Sequence, residues 1–371
     1  MTRLRRIYKL LKNRLIIIGR LVVWFLGIKI NQPRRILGVW DIKHSGFSLG
    51  SFMEFQTMLL CLARQQQVKK IDIAFVCETS QYLINPKSPW LNSENLSFHF
   101  QELWPLVHIN PQLGSVFFFD TIKDFEDFFK DRHDLYLSHP SPYYYFSGSG
   151  SHLGIFNSFR EFYQKNGFLP ELELSKIANA WALAFLKDNF PGQYVVTVSL
   201  RANDHLRPQR NSNFIAWNEF FSHCLKHPQV VFLVLSRRGE LEGKIKPLPN
   251  LFFSKDCGTT IEQDLALLKN SLFYMATCAG PASLPFLSST IPYIITRFRP
   301  PEKSLEESWL SFGSALPWQN PQIQKLLWDD ESSQLLIKEF ELLLTNLDKK
   351  EWQKKINQAS PQVLEWPYLI K

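Results

Sequence analysis

Cysteine is scarce, and the few cysteines show none of the spacings that mark a structural site. The 371-residue chain has five of them, and no two form a CxxC pair or a Cys/His ligand pattern. Neither a zinc site nor a disulfide framework is therefore indicated. We interpret them as buried or idle thiols in a reducing compartment; they are Cys61, Cys77, Cys224, Cys257 and Cys278.

The short motifs of several enzyme classes are also missing. The chain has no GxxxxGK[ST] phosphate loop, no GxSxG, no HExxH and no kinase motif set, which excludes most nucleotide hydrolases, serine hydrolases and zinc peptidases. Its first glycine loop is not GxGxxG and lacks the acidic residue that binds a ribose, so NAD is not expected. The chain also has no DxD pair flanked by apolar residues, so a metal-dependent transferase is not indicated. We expect neither a metal nor a cofactor.

No apolar run near the N-terminus is long enough to cross a bilayer as a simple helix. The run over residues 15–28 is interrupted by Arg20, whereas a span needs ~20 apolar residues and a central arginine opposes insertion. Several basic residues precede the run. Residues 1–30 are therefore interpreted as an amphipathic helix lying on a membrane surface with anionic lipids. The alternatives are a cleaved signal peptide and a helix packed on the protein itself.

Apolar residues, in contrast, are abundant and make up 45% of the chain. A globular chain of this length exceeds the size at which one core keeps growing, so two domains are expected. The net charge of +8 suits phosphorylated ligands or an anionic surface; much of it lies at the N-terminus, and nucleic acid is not an expected partner. The predicted divisions are residues 1–30, 31–190, 191–345 and a C-terminal helix at 346–371.

Short apolar runs alternate with helical patterns in both halves of the chain. Such runs are typical of parallel strands buried on two faces. We predict an α/β protein of two Rossmann-like, doubly wound domains facing a cleft. The predicted strands are residues 36–42, 71–77, 116–119 and 135–137, then 194–200, 230–235, 251–253, 271–276 and 293–295. The predicted helices are residues 51–64, 122–131, 172–188, 215–225, 261–269, 279–288, 322–346 and 351–370, with a loop at 138–154.

Basic and polar side chains follow the predicted strands of the second half. Ligands of an open α/β sheet bind at the carboxyl ends of its strands, and arginine forks beside a helix amino end match a diphosphate. The alternative is a solvated loop next to a glycine chosen for helix geometry. The residues expected at this anion site are Arg201, Asn203, Arg207, Arg210, Ser236, Thr277, Gly280, Ala282 and Ser283.

Two acidic residues begin the predicted helix at 261–269. Glu262 and Asp264 are expected to accept a ribose or sugar hydroxyl. The alternative is that the helix dipole alone favours carboxylates in a first turn.

A loop with two glycines follows the first predicted strand. Gly46 and Gly50 permit close backbone approach to a substrate, and Ser45 belongs to the same loop. A general base toward an acceptor hydroxyl is expected nearby. The candidates are His44, Asp41 and Glu54, and each is equally explained as a structural residue.

The second half resembles the donor domain of GT-B glycosyltransferases, in particular bacterial fucosyltransferase-like and heptosyltransferase-like sugar transferases. Residues 195–201 are similar to a strand and arginine whose guanidinium contacts the donor diphosphate, which implies that role for Arg201. Residues 262–268 and 271–283 resemble the helix, strand and small-residue loop around the donor. The loop at 44–50 occupies the place of the N-domain glycine loop. The second arginine of the fucosyltransferase signature is replaced by Ala202, so the sugar stays open.

This resemblance implies an acceptor domain at residues 31–190, a donor domain at 191–345 and a C-terminal helix that returns to the first domain. We expect an inverting, metal-independent glycosyltransferase that moves a sugar from a nucleotide-diphospho-sugar to a cell-surface glycan or lipid-linked acceptor at the cytoplasmic face of the membrane. The alternatives are transfer of another group, such as a polyol phosphate, and a catalytically silent scaffold that binds a nucleotide or glycan.

Overall fold

The computed structural model describes residues 35–43, 45, 47–77, 91–139, 152–203, 208–236, 238–278, 280–298 and 313–359. The predicted membrane-surface segment at 1–30 lies outside the described residues, as do most of the predicted loop at 138–154 and residues 360–371. Three predicted site residues, His44, Gly46 and Arg207, lie outside them as well. Among the helices of the described ranges, none is long and apolar enough to span a bilayer.

A parallel four-stranded sheet forms the first half. Its strands lie in the order β3-β2-β1-β4. Each of the four strands predicted for this half corresponds to one of them. The sheet is covered on both faces, which explains why β1 and β2 are apolar on consecutive residues. The strand order reverses between β1 and β4. The strands are β1 Arg35–Asp41, β2 Ile71–Val76, β3 Leu113–Phe119 and β4 Tyr136–His139.

A parallel six-stranded sheet forms the second half, in the order β10-β9-β8-β5-β6-β7. The chain builds outward from β5 to β7, returns to β8 on the other side of β5, and continues to β10. The reversal of order therefore lies between β5 and β8, which are hydrogen-bonded neighbours. Open sheets bind ligands at such a point. The strands are β5 Tyr194–Ser199, β6 Val230–Val234, β7 Leu251–Phe253, β8 Phe273–Thr277, β9 Tyr293–Thr296 and β10 Gln324–Leu326.

Ten α-helices occur in the described part of the chain, and two of them, α2 and α4, were not predicted from the sequence. Hydroxyl and amide side chains cap most of the longer ones: Ser48 begins α1 by accepting a bond from Ser51 N at 3.2 Å. The helices are α1 Leu49–Gln65, α2 Leu96–Leu103, α3 Ile122–Lys130, α4 His152–Asn166, α5 Lys176–Asn189, α6 Phe214–His223, α7 Ile261–Asn270, α8 Ser283–Phe286, α9 Ser333–Asn346 and α10 Lys349–Asn357.

Two predicted helices are wrong in extent. The helix predicted at 279–288 is a 3-10 turn, Gly280–Ala282, followed by the four-residue α8. Pro281 and Pro285 lack the N–H groups that a longer helix needs. The helix predicted at 322–346 is β10 followed by α9, because Ser332 caps the helix by accepting a bond from Leu335 N.

The two halves share one continuous apolar core. Helix α4 packs on α1, and its Phe156 and Phe159 contact Phe286 and Trp318 of the second half. Helix α5 lies along α7, and α10 packs on α5, where Trp352 Nε1 donates to Asn270 O at 2.9 Å. The C-terminal helix therefore returns to a helix that precedes the second sheet. The domain boundaries themselves stay predictions.

Candidate functional site

The carboxyl edges of the two sheets meet at a pair of glycines. Helix α1 begins just after β1 and contacts the 3-10 turn and α8, which follow β8. A Cβ atom at Gly50 would lie 2.7 Å from Ser283 Oγ and 3.5 Å from Gly280 Cα, and one at Gly280 would lie 3.4 Å from Gly50 N. The close backbone approach expected of Gly50 is therefore made to the second half of the chain. We call this contact the glycine seam.

The loops after β5 and β8 are joined by hydrogen bonds. Ser199 and Ala276 are paired across the two strands, so Arg201 and Thr277 come next to each other at the sheet edge. Ser212 Oγ accepts from Arg201 N at 2.8 Å and lies 2.6 Å from Thr277 Oγ1. The two predicted anion-binding loops are thus neighbours, and the second of them leads into the glycine seam.

Charged side chains from both halves influence Cys278, the residue after β8. Arg210 Nη2 donates to Cys278 O at 3.2 Å. Burial raises the pKa of the Cys278 thiol; the positive charges of Arg210 and Arg201 oppose that rise, and the negative charge of Glu54 adds to it. Glu54 is a buried residue of α1. Two predicted donor-site arginines and one predicted base are therefore within electrostatic range of a single atom.

Other residues predicted for the donor site support the loop between β5 and α6. Ser236 Oγ donates to Leu200 O at 3.1 Å, and Asn203 N donates to Asn211 Oδ1 at 2.8 Å. Ala282 and Ser283 are buried at the glycine seam. Because the helix predicted after Gly280 is short, little helix dipole is available there. Positive charge at this edge comes mainly from arginine.

Glu262 and Asp264 are engaged in protein contacts. Asp264 Oδ1 accepts from Ser254 Oγ at 2.8 Å and Thr259 Oγ1 at 2.6 Å, and Lys255 Nζ lies 2.6 Å from Oδ2. These contacts hold the connection from β7 to α7 together. A contact between Asp264 and a donor hydroxyl stays a prediction.

Glu262 joins the first half to the second. Its Oε1 lies 2.8 Å from His108 Nε2 and accepts from Ser175 N at 3.0 Å. Burial opposes ionisation of Glu262, but the bonds from His108 and Ser175 outweigh it and lower the carboxyl pKa. The bond to Glu262 raises the pKa of His108, against the effect of burial. A role in hydroxyl binding stays a prediction for Glu262 too.

The carboxyl edge of the first sheet is acidic. Asp41 ends β1, is 5% exposed and accepts from Lys43 N at 2.8 Å, and Ser45 N donates to Asp41 O at 2.7 Å. Burial raises the pKa of Cys77, at the end of β2, to about 12, and the charges of Asp120 and Asp41 add to that rise. Two carboxylates therefore lie near the ends of β1 to β3.

Sequence reasoning missed two residues at these edges. His139 ends β4, beside β1, and stacks on Phe55 of α1; burial lowers its pKa to about 4, so the imidazole is neutral. Arg297 follows β9 with a φ of 51°, and its guanidinium donates to Asn211 O and lies 3.4 Å from Asp330. Both follow predicted apolar runs within two residues, which is the signal that identified Arg201.

Neither a protein-family model nor a curated protein sequence matches this chain. Solved structures match its fold. The ADP-heptose LPS heptosyltransferase II of E. coli aligns with a TM-score of 0.50 and 11% identity, over 84% of this chain and 99% of that one. A glycosyl transferase of family 9 from Veillonella parvula aligns with a TM-score of 0.49 and 10% identity, over 84% and 97%. At 11% identity the likeness to the heptosyltransferase shows the fold alone, which is the GT-B fold.

Proposed function

We propose that this protein is a glycosyltransferase that uses a nucleotide-diphospho-sugar as donor. The observation that carries the proposal is the convergence of Arg201 and Arg210 at the reversal point of the second sheet: Arg210 Nη2 donates to Cys278 O, and Arg201 N is joined to Thr277 through Ser212 Oγ. A diphosphate is the ligand that two arginines at such an edge favour. The fold shared with a heptosyltransferase supports the same reading.

The donor diphosphate is assigned to the loops after β5 and β8. Arg201 and Arg210 supply planar donor forks to its oxygens, and the predicted Arg207 belongs to the same loop. Gly280 packs against Leu49 and Gly50 at the glycine seam, so a contact between the phosphate and the backbone of the Gly280–Ala282 turn stays a prediction. Arginine charge stabilises the leaving diphosphate in the way a metal ion does in other transferases, and the proposal is metal-independent.

The transfer is a single displacement. An acceptor hydroxyl attacks the anomeric carbon, the bond from that carbon to the phosphate oxygen breaks, and the diphosphate leaves with the electron pair. The hydroxyl proton goes to a carboxylate or imidazole of the first half. Asp41 and Glu54 are the described candidates, and His44 is the third. One displacement inverts the configuration at that carbon.

The acceptor and the membrane belong to the proposal on sequence grounds. A glycan or lipid-linked acceptor at the cytoplasmic face fits the basic, apolar residues 1–30. Deleting this segment is expected to move the protein from the membrane pellet to the soluble fraction. An unchanged distribution would remove the membrane from the proposal but leave the transferase.

A thermal-shift screen tests the donor. A ligand that binds only the folded state stabilises it by about 2.7 kcal/mol at a hundredfold excess over Kd, so one of the ADP-, GDP- or UDP-sugars should raise Tm clearly. Arg201→Ala should weaken binding of that nucleotide by about 2 kcal/mol, or roughly thirtyfold. Arg132→Ala is the matched control, because Arg132 precedes β4 at the opposite edge and lies over the Phe128 ring.

The outcomes separate the possibilities. No shift with any nucleotide-sugar, or equal affinities for the two arginine variants, would overturn the donor assignment. Donor binding without hydrolysis or transfer would identify a scaffold. The mass of a transferred product separates a sugar from a polyol phosphate.

A further inference from the structure

A buried carboxylate lies beneath the proposed donor loops. Glu331, between β10 and α9, is 3% exposed. Its Oε1 accepts from Thr277 Oγ1 at 2.5 Å and from Thr296 Oγ1 at 2.6 Å. Its Oε2 accepts from Asn213 N at 2.6 Å, and Asn213 Nδ2 donates to Glu331 O at 3.0 Å. The elements that end at these partners are β8, β9 and the loop from β5.

The bonds from Glu331 continue to the backbone of Arg201. Ser212 Oγ lies between Thr277 Oγ1, at 2.6 Å, and Arg201 N, at 2.8 Å. A backbone N–H can only donate, and an ionised carboxylate can only accept. The two hydroxyls between them must therefore each accept from one side and donate to the other. The direction runs from Arg201 N–H through Ser212 and Thr277 to Glu331.

Glu331 consequently holds both ends of the loop at 201–213. One end is held through the hydroxyl chain at Arg201, and the other directly at Asn213, which is also the residue that begins α6. Arg297 adds a third contact, to Asn211 O. An unmade bond in such a buried network leaves polar groups unpaired, so the network has few alternative arrangements.

We infer that Glu331 is a positioning residue for donor binding: through Thr277 and Ser212 it sets the place of Arg201, without touching the donor itself. The inference rests on the proposed function as far as the donor is concerned. Its structural part, the fixed backbone of Arg201 and Asn213, is independent of any ligand.

Substitution of Thr277 tests the chain of bonds with the least change of shape. Thr277→Val keeps the volume but removes the hydroxyl, and Thr277→Ser restores the hydroxyl without the methyl group. Glu331→Gln places an N–H₂ group against Asn213 N–H or against the two threonine hydroxyls. Thr197→Val is the matched control, because Thr197 of β5 also forms a buried hydroxyl pair, 2.9 Å from its Oγ1 to Ser271 Oγ, and this pair lies away from the donor loops.

Two measurements are made on the full chain. The first is the Kd of ADP, GDP and UDP, with the nucleotide that binds the unchanged protein most tightly as the probe. Because each of these substitutions breaks the chain of bonds that holds Arg201, Thr277→Val and Glu331→Gln should raise that Kd about tenfold. Thr277→Ser should stay within about threefold, and Thr197→Val should leave it unchanged. The second measurement is hydrogen exchange at the amides of Arg201 and Asn213.

Exchange at Arg201 should be about tenfold faster in Thr277→Val and Glu331→Gln, but not in Thr197→Val. Equal exchange in all variants would overturn the inference, whatever the nucleotides do. Faster exchange with an unchanged Kd would also overturn it, because the backbone of Arg201 would then open without affecting donor binding. If no nucleotide binds the unchanged protein, the proposed function fails. The exchange result still tests whether Glu331 fixes the backbone of Arg201.

Discussion

The glycine seam can be tested by adding one methyl group to it. In Gly50→Ala the new Cβ would lie 2.7 Å from Ser283 Oγ, well inside van der Waals contact. Overpacking of this kind lowers the free energy of unfolding by about 1–3 kcal/mol. Replacing a helical glycine by alanine raises the free energy of unfolding by about 0.5–1 kcal/mol. Ser283 is 3% exposed, so its hydroxyl has little room to rotate away. The net loss should be about 1 kcal/mol.

A second substitution separates the two contributions. Ser283→Ala removes the hydroxyl oxygen, so Gly50→Ala in that background should cost nothing or stabilise by up to about 1 kcal/mol. The coupling energy between the two positions should therefore be about 1–2 kcal/mol. Chemical unfolding of the four proteins of this cycle measures it. Additive effects within about 0.5 kcal/mol would mean that the two halves do not meet at these residues, and the shared site would lose its geometric basis.

Two further perturbations probe the fold around the site. In the pair of Glu262 and His108, the carboxyl pKa is lowered and the imidazole pKa is raised. The stability that this pair contributes should be lost as pH falls through the pKa of Glu262 and as pH rises through the pKa of His108. Tm against pH should thus be flatter in Glu262→Gln, and parallel curves would contradict the pairing. Gly38→Ala in β1 places a Cβ against Leu59 Cδ1 and 2.8 Å from Phe55 Cζ, so unfolding free energy should fall by about 1–3 kcal/mol; an unchanged denaturation midpoint would refute that packing.

Most strands were predictable because a parallel strand covered on both faces is a continuous apolar run. The exception is β10, whose sequence is Gln-Lys-Leu. Gln324 is fully buried, yet its side-chain amide donates to Ser288 O and Ile291 O at 2.8 and 2.9 Å. A polar residue satisfied by distant carbonyls leaves no hydrophobic pattern. The helical pattern of the residues that follow was therefore extended backward over the strand.

The candidate site was predictable only where it follows an apolar run. Arg201 lies two residues after β5 and Thr277 is the last residue of β8, so the carboxyl-end rule identifies both. Glu331 lies 118 residues from Asn213 in sequence, and no local pattern relates an acidic residue to a backbone N–H so far away. The same holds for the glycine seam. The contact between Gly50 and Gly280 is set by tertiary packing, so the sequence could not show it, and Gly50 was predicted to make room for a substrate instead.

The seam also determines how the two sheets can share one site. Each sheet has one reversal of strand order, between β1 and β4 in the first and between β5 and β8 in the second. Helix α1 leaves the first reversal and contacts the turn that leaves the second. The carboxyl edges of the two sheets are thereby brought face to face, with carboxylates such as Asp41 on one side and Arg201 on the other. Under the proposed function, a donor phosphate would be attracted to the arginine edge, and the opposite edge would be left for the acceptor hydroxyl and for the group that takes its proton.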